Sequence, residues 1–304
     1  MLVFAAATEL ANAIPITALA FSPDGAVLVS SGARSLEVRS PNDGAVQRRI
    51  PCDLSKISSL AFQSPGRCLA VGGGNAAVSG EVLLFDWRKE KLLHRLTNHT
   101  DLATCVAFNR DGTLLGIASA DHSARVWRVE KDAAIVTEAF ALIGHAGPVL
   151  AIAFSPSARS VATASADRSI KVWSTEDGRL LRTFSHHTES VHALVFRPPV
   201  GADFESSPAV CASGSDDRTV RIWQPEIGRM VRIIRSHQGS IFALVFAPDG
   251  KSLYSAGKEG VVRRLDPDSD TVLAQWPAHG DWIYAMAFSP DGLKLASGDW
   301  SGSV

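Results

Sequence analysis

The chain has 304 residues, 46% hydrophobic and 20% charged, the composition of a folded globular body. Thirty Lys and Arg against 31 Asp and Glu leave a net charge of -1, so nothing pulls the chain generally toward nucleic acid or an anionic membrane. No run of about 18 apolar residues occurs, which argues against a membrane-spanning helix.

The opening stretch, MLVFAAATELANAIPI, has no basic leader and is interrupted by Thr8, Glu9 and Asn12. It does not read as a signal peptide, and the expected compartment is cytoplasmic. Cys52, Cys68, Cys105 and Cys211 lie far apart without metal-ligand spacing, and read as reduced apolar strand residues.

From there a pattern recurs at intervals of 41 to 50 residues. A phenylalanine precedes a turn at Phe21 (FSPDG), Phe62 (FQSPG), Phe108 (FNRDG), Phe154 (FSPSA), Phe196 (FRPPV), Phe246 (FAPDG) and Phe288 (FSPDG). Pro, Asp and Gly in succession fit a tight reversal, since proline presets its φ, aspartate bonds nearby backbone and glycine tolerates positive φ. Nine residues before each phenylalanine stand Asn12, Asp53, His99, His145, His187, His237 and His279.

Counted from that position, the residues four, seven and nine further on are apolar, as in Val149, Ile152 and Phe154. The last two are spaced as on one face of a strand. The odd step before them keeps one face buried only if a bulge intervenes, and the bulge re-aims the fifth residue. A second apolar strand follows each turn, then a polar turn with Asp121, Asp167 or Asp217, and six residues later Trp127, Trp173 or Trp223. A more polar fourth segment leads to the next histidine. Each unit therefore reads as four short antiparallel strands.

The residues Gly144 and His145, Phe154 to Pro156 and SADRSIKVW ending at Trp173 resemble the WD-repeat family of β-propellers, and the resemblance covers essentially the whole chain. It implies an all-β, seven-bladed β-propeller of four-stranded antiparallel blades, one domain over residues 1–304. Residues 2–10 are expected to supply the outer strand of the last blade. The chain stops at Val304, inside the expected third strand of that blade, so the natural protein is expected to continue or the blade to close loosely. The resemblance also implies hydrogen-bonded chains of His145, Thr163, Asp167 and Trp173, and of His187, Ser213, Asp217 and Trp223. The third unit has Ile117 at the hydroxyl position, and the sixth has His237, Ser255, Glu259 and Leu265.

Antiparallel order puts the fourth-to-first and second-to-third strand loops on one face. There the bulge positions read Thr17, Ser58, Thr104, Leu150, His192, Phe242 and Tyr284. Trp282 stands two residues before the last of these, and Trp300 falls before the turn aspartate position if Ser301 takes its place. His192, Phe242, Trp282, Tyr284 and Trp300 thus gather on one sector, and aromatic residues are the usual anchors of protein contacts. The competing reading makes them a core plug of the channel mouth. The histidines sit in different units without HExxH spacing and are expected to be structural.

The glycine-rich VGGGNAAVSG at 71–80 opens no helix and is expected to be a long flexible loop, and the insert at 198–209 a surface insertion on the opposite face. No nucleophile elbow, paired acid and base or metal cluster emerges. The expected function is a non-catalytic scaffold for a protein or peptide partner, with no cofactor, nucleic acid or membrane span. The alternative is a propeller enzyme or small-ligand module at the channel mouth, or a phosphopeptide site if Arg168, Arg218 and Lys258 share one patch.

Overall fold

In a computed structural model the described residues are 14–130, 133, 135–199 and 208–304. Six four-stranded antiparallel sheets follow one another along the chain, over 19–51, 56–99, 103–143, 149–184, 191–234 and 241–277. The fourth shows the plan, with strands Val149–Phe154, Ser160–Ser165, Ile170–Ser174 and Leu180–Phe184 in spatial as in chain order.

The expectation of seven four-stranded blades is corrected here. The seventh repeat forms a two-stranded sheet of Ile283–Phe288 and Leu295–Asp299 among the described residues. A phenylalanine and its turn, the marks by which seven repeats are counted in the sequence, report only the first two strands of a unit. After Asp299 comes the same second-to-third strand turn as in the other repeats, with Gly302 at φ 87° where Arg168 and Arg218 stand at 71° and 66° and Asp299 Oδ1 accepting from Ser303 N at 2.8 Å and Ser301 Oγ at 2.8 Å, and residues 303–304 beyond it form no strand. Residues 2–10, expected as an outer strand, lie outside the described residues.

Local chemistry explains each blade. In the first turn Asp24 Oδ1 accepts from Ser22 Oγ at 2.6 Å and Ala26 N at 3.1 Å, while Gly25 takes φ 69°. The first-to-second strand register skips Ser58, Thr104, Leu150, His192, Phe242 and Tyr284, so a bulge stands at the fifth residue in six repeats. The bulge lets residues such as Val149 and Ile152 both face the core across an odd step.

Apolar faces are buried between successive sheets. Val29, Leu36 and Val38 of the first blade pack with Leu69, Val71 and Leu83 of the second. Ile16, Leu19 and Phe21 pack against Ala285, Ala287 and Ala296 of the two-stranded sheet, and Ile16 N donates to Asp299 O at 2.9 Å, so the first and last repeats meet.

The glycine-rich segment is not a flexible loop. It forms the ends of two eight-residue strands, Cys68–Asn75 and Ser79–Asp86, joined at an exposed Val78. A Cβ on Gly73 would lie 2.0 Å from Lys56 O and one on Gly80 2.1 Å from Asp101 O, so glycine is there for backbone contact with adjoining chain. Of the insert at 198–209, residues 200–207 lie outside the described residues. No helix among the described residues is long and apolar enough to cross a membrane.

Candidate functional site

Two kinds of side-chain system meet at the face bearing the second-to-third strand turns. The first is buried between strands. In the fourth blade Trp173 Nε1 donates to Thr163 Oγ1 at 2.9 Å, which lies 2.8 Å from His145 Nε2, and His145 Nδ1 lies 2.9 Å from Asp167 Oδ2. Burial holds the His145 imidazole below its usual pKa. A neutral ring beside a carboxylate carries its proton on Nδ1, so every donor points the same way, from indole to hydroxyl to imidazole to carboxylate. Burial pushes the Asp167 carboxyl up, but hydrogen bonds from Ser169, the Ala146 amide and His145 outweigh it and bring it to about 2.

The fifth blade repeats the arrangement: Trp223 Nε1 to Ser213 Oγ at 2.8 Å, Ser213 Oγ to His187 Nε2 at 2.7 Å, and His187 Nδ1 to Asp217 Oδ2 at 2.7 Å.

The third blade shows what the hydroxyl does. His99 Nδ1 still meets Asp121 Oδ2 at 2.8 Å, but Ile117 occupies the hydroxyl position, and both His99 Nε2 and Trp127 Nε1 are buried without a partner. An unmade buried hydrogen bond costs about 1–3 kcal/mol, and losing a methyl group in the core about 1 kcal/mol. Ile117→Thr is therefore expected to be about 1–2 kcal/mol more stable than Ile117→Val in denaturant unfolding. A threonine variant no more stable than the valine one would show that its hydroxyl does not reach the two orphaned nitrogens.

The seventh repeat solves the same problem with a residue that sequence reasoning missed. Ser301 stands at the aspartate position, yet His279 Nδ1 meets Asp299 Oδ2 at 3.0 Å while His279 Nε2 meets Ser297 Oγ at 2.7 Å. Asp299 occupies the position held by Ser119, Ser165 and Ser215 in other units. The usable signal was a carboxylate displaced by two residues in a turn that otherwise has none. In the sixth blade His237 Nε2 meets Ser255 Oγ at 2.7 Å and Nδ1 meets Glu259 Oε2 at 3.1 Å. Burial and the Arg263 guanidinium bring this imidazole down to about 4.

The second system is the row of residues at the fifth register position, and it divides the repeats in two. Thr17 Oγ1 donates to Ile57 O at 2.6 Å, Ser58 Oγ to Ala103 O, and Thr104 Oγ1 to Val149 O at 2.6 Å. Each hydroxyl ties its blade to the inner strand of the next. From the fourth repeat onward the same position holds Leu150, His192, Phe242 and Tyr284, side chains without such a hydroxyl reach, and all four are half-buried.

These last residues are brought together. His192 and Phe242 meet edge to face with centroids 5.3 Å apart, and Phe242 stacks on Tyr284 at 4.9 Å with planes 6° apart. Tyr284 lies 5.5 Å from Trp300, and Trp282 lies 6.0 Å from Phe242 and 6.3 Å from Tyr284. Trp282 is 39% exposed and Trp300 50%. His192 Nε2 is fixed by Asp216 Oδ2 at 2.8 Å.

Arg168 and Arg218 are exposed turn residues at φ 71° and 66°, and Lys258 lies over Trp282. Among the described residues no group of three or more His, Cys, Asp or Glu is placed to hold a metal ion.

Comparison with known proteins gives the following likenesses. The family model for the fourth β-propeller of WDR90 matches residues 148–275, and that of the WD domain, G-beta repeat matches 10–38, 90–128 and 270–304. COMPASS component SWD3 of Saccharomyces cerevisiae is 27% identical over 117 residues, 38% of this chain and 36% of that protein. Periodic tryptophan protein 2 of Arabidopsis thaliana is 28% identical over 82 residues, 27% of this chain and 9% of that protein. Autophagy-related protein 18 of Schizosaccharomyces pombe is 44% identical over 55 residues, 18% of this chain and 14% of that protein. The matched stretch thus spans about a third of the length of the first of these relatives and less than a sixth of the other two.

Proposed function

Because this chain belongs to the WD-repeat family of β-propellers, we propose that it serves as a non-catalytic interaction scaffold that docks a protein or peptide partner. The docking face is the one carrying the second-to-third and fourth-to-first strand loops. His192, Phe242, Trp282, Tyr284 and Trp300 make the contact.

The observation carrying this reading is the continuous run of ring contacts from His192 to Trp300, with both tryptophans open to solvent. Large rings already packed against one another lose little freedom on binding and present wide apolar area, the properties of an interface anchor. A core plug would bury its rings, whereas here about half of Trp300 is accessible.

A photo-crosslinking amino acid placed at Trp300 is expected to capture a partner that the same group at Leu293 does not. Leu293 is 82% exposed and lies in a first-to-second strand turn, on the opposite face. Equal capture from both positions, or capture from Leu293 alone, overturns the reading.

A further inference from the structure

Lys258 stands in the second-to-third strand turn of the sixth blade, with its ammonium 5.0 Å from the centroid of the Trp282 ring. The residue is exposed, and among the described residues its ammonium forms no ion pair. A strongly hydrated cation on a flexible stem has water on offer in every direction, and it rests on an indole face. Such a position marks a ring whose negative face attracts positive charge.

The surroundings agree. The π surface continues from Trp282 through Tyr284 to Phe242 and Trp300. Carboxylates stand at both ends, Asp216 on His192 at 2.8 Å and Asp281 next to Trp282, where it accepts from the Trp282 amide at 2.7 Å. Burial and the nearby Asp281 charge hold the Tyr284 hydroxyl above its usual pKa, so no phenolate forms near neutrality. Lys258 and Arg218, the cations of the second-to-third strand turns in the sixth and fifth blades, are both exposed.

Resting on the docking reading above, we propose that the aromatic wall recognises a cationic side chain, lysine or arginine, of the bound segment, and that Lys258 fills this seat in the free protein. The partner must displace Lys258 from Trp282. The seat is thus preformed and self-occupied, and an incoming cation exchanges with one already there.

The test uses the full chain with 15N-labelled tryptophan, the Trp282 and Trp300 indole signals being assigned from Trp→Phe variants. Two probes are titrated: Nα-acetyl-lysine methylamide, and Nα-acetyl-norleucine methylamide as its uncharged counterpart. The lysine probe is expected to shift the Trp282 signal saturably, at a midpoint about three- to thirtyfold lower than the norleucine probe. Lys258→Ala is expected to lower the lysine midpoint about two- to tenfold by emptying the seat, and Trp282→Leu to abolish the preference for charge.

Equal midpoints for the two probes overturn the cation seat while leaving an apolar docking face in place. An unchanged lysine midpoint in Lys258→Ala overturns the self-occupied seat. Absence of any saturable shift with either probe also overturns it, and the crosslinks from Trp300 then decide the docking reading separately.

Discussion

Replacing Asp217 with alanine is expected to cost about 3–5 kcal/mol of stability in denaturant unfolding. The carboxylate accepts from His187 Nδ1 at 2.7 Å, Thr219 Oγ1 at 2.6 Å, Thr219 N at 3.0 Å and Thr188 N at 3.2 Å, with Arg221 Nη2 at 3.4 Å. Burial opposes its charge, but the bonds from His187 and Thr219 outweigh burial and hold its pKa far below the usual carboxylate range. Truncation leaves an imidazole N–H, two amides and a buried guanidinium without their acceptor. The adjacent Asp216 provides the contrast. It is half-exposed and its side chain bonds only His192 in the aromatic sector, so Asp216→Ala is expected to cost no more than about 1 kcal/mol. Similar losses at both positions would contradict the division into a buried structural chain and a half-exposed aromatic sector.

The second large effect is acid lability, and its sign follows from the buried histidines. Burial lowers the pKa of His99, His145, His187 and His237, the last to about 4. The unfolded chain takes up protons below about 6.5 that these rings refuse in the fold, so acid favours the unfolded state. Their contribution is fully present above pH 6.5 and is lost as the pH falls from there through the folded values. For His237 alone this amounts to about 3 kcal/mol by pH 4. A second loss follows between about 3.8 and 2, as Asp167 is protonated. Unfolding free energies measured from pH 8 to pH 4 are expected to be level at first and then to fall, with a smaller fall in His237→Gln. Stability that is level or rising down to pH 5 would contradict neutral buried imidazoles.

Much of this architecture is legible in the chain because one unit is written out repeatedly. The odd step from the fourth to the seventh register position announces a bulge, and the ladder skips Leu150, His192, Phe242 and Tyr284. Register arithmetic alone also gathers five aromatic and histidine residues on one sector. What escapes are features set between units. Thr17, Ser58 and Thr104 form a visible run of hydroxyls, but that each reaches the carbonyl of the next blade follows from how blades pack, which no periodicity within a unit encodes. The glycines at 72–74 look like a loop because their use, close backbone approach to Lys56 and Ser79, lies in the third dimension. The seventh repeat counts as a blade because its first-strand phenylalanine and turn are intact, although only two strands form among the described residues, and Asp299 escapes because its carboxylate comes from the serine position.

Hydroxyls at the fifth register position of the first three repeats join one blade to the next, and in the fifth to seventh repeats the same position carries a ring. One register position thus joins neighbouring blades on one side of the ring and carries packed aromatic side chains on the other. The separation also explains why substitutions on the aromatic side should spare the fold: the buried chains from Trp173 to Asp167 and from Trp223 to Asp217 do not pass through them.

Affinity capture with the natural protein and with a Trp282→Ala, Tyr284→Ala double variant tests the proposed binding role of the aromatic sector most directly, provided both show the same unfolding midpoint. Loss of two packed anchors is expected to weaken the bound partner by about a hundredfold or more, so that it drops out of the variant's captured set. A folded double variant that retains every partner at wild-type affinity would show that the aromatic sector is not where this protein binds.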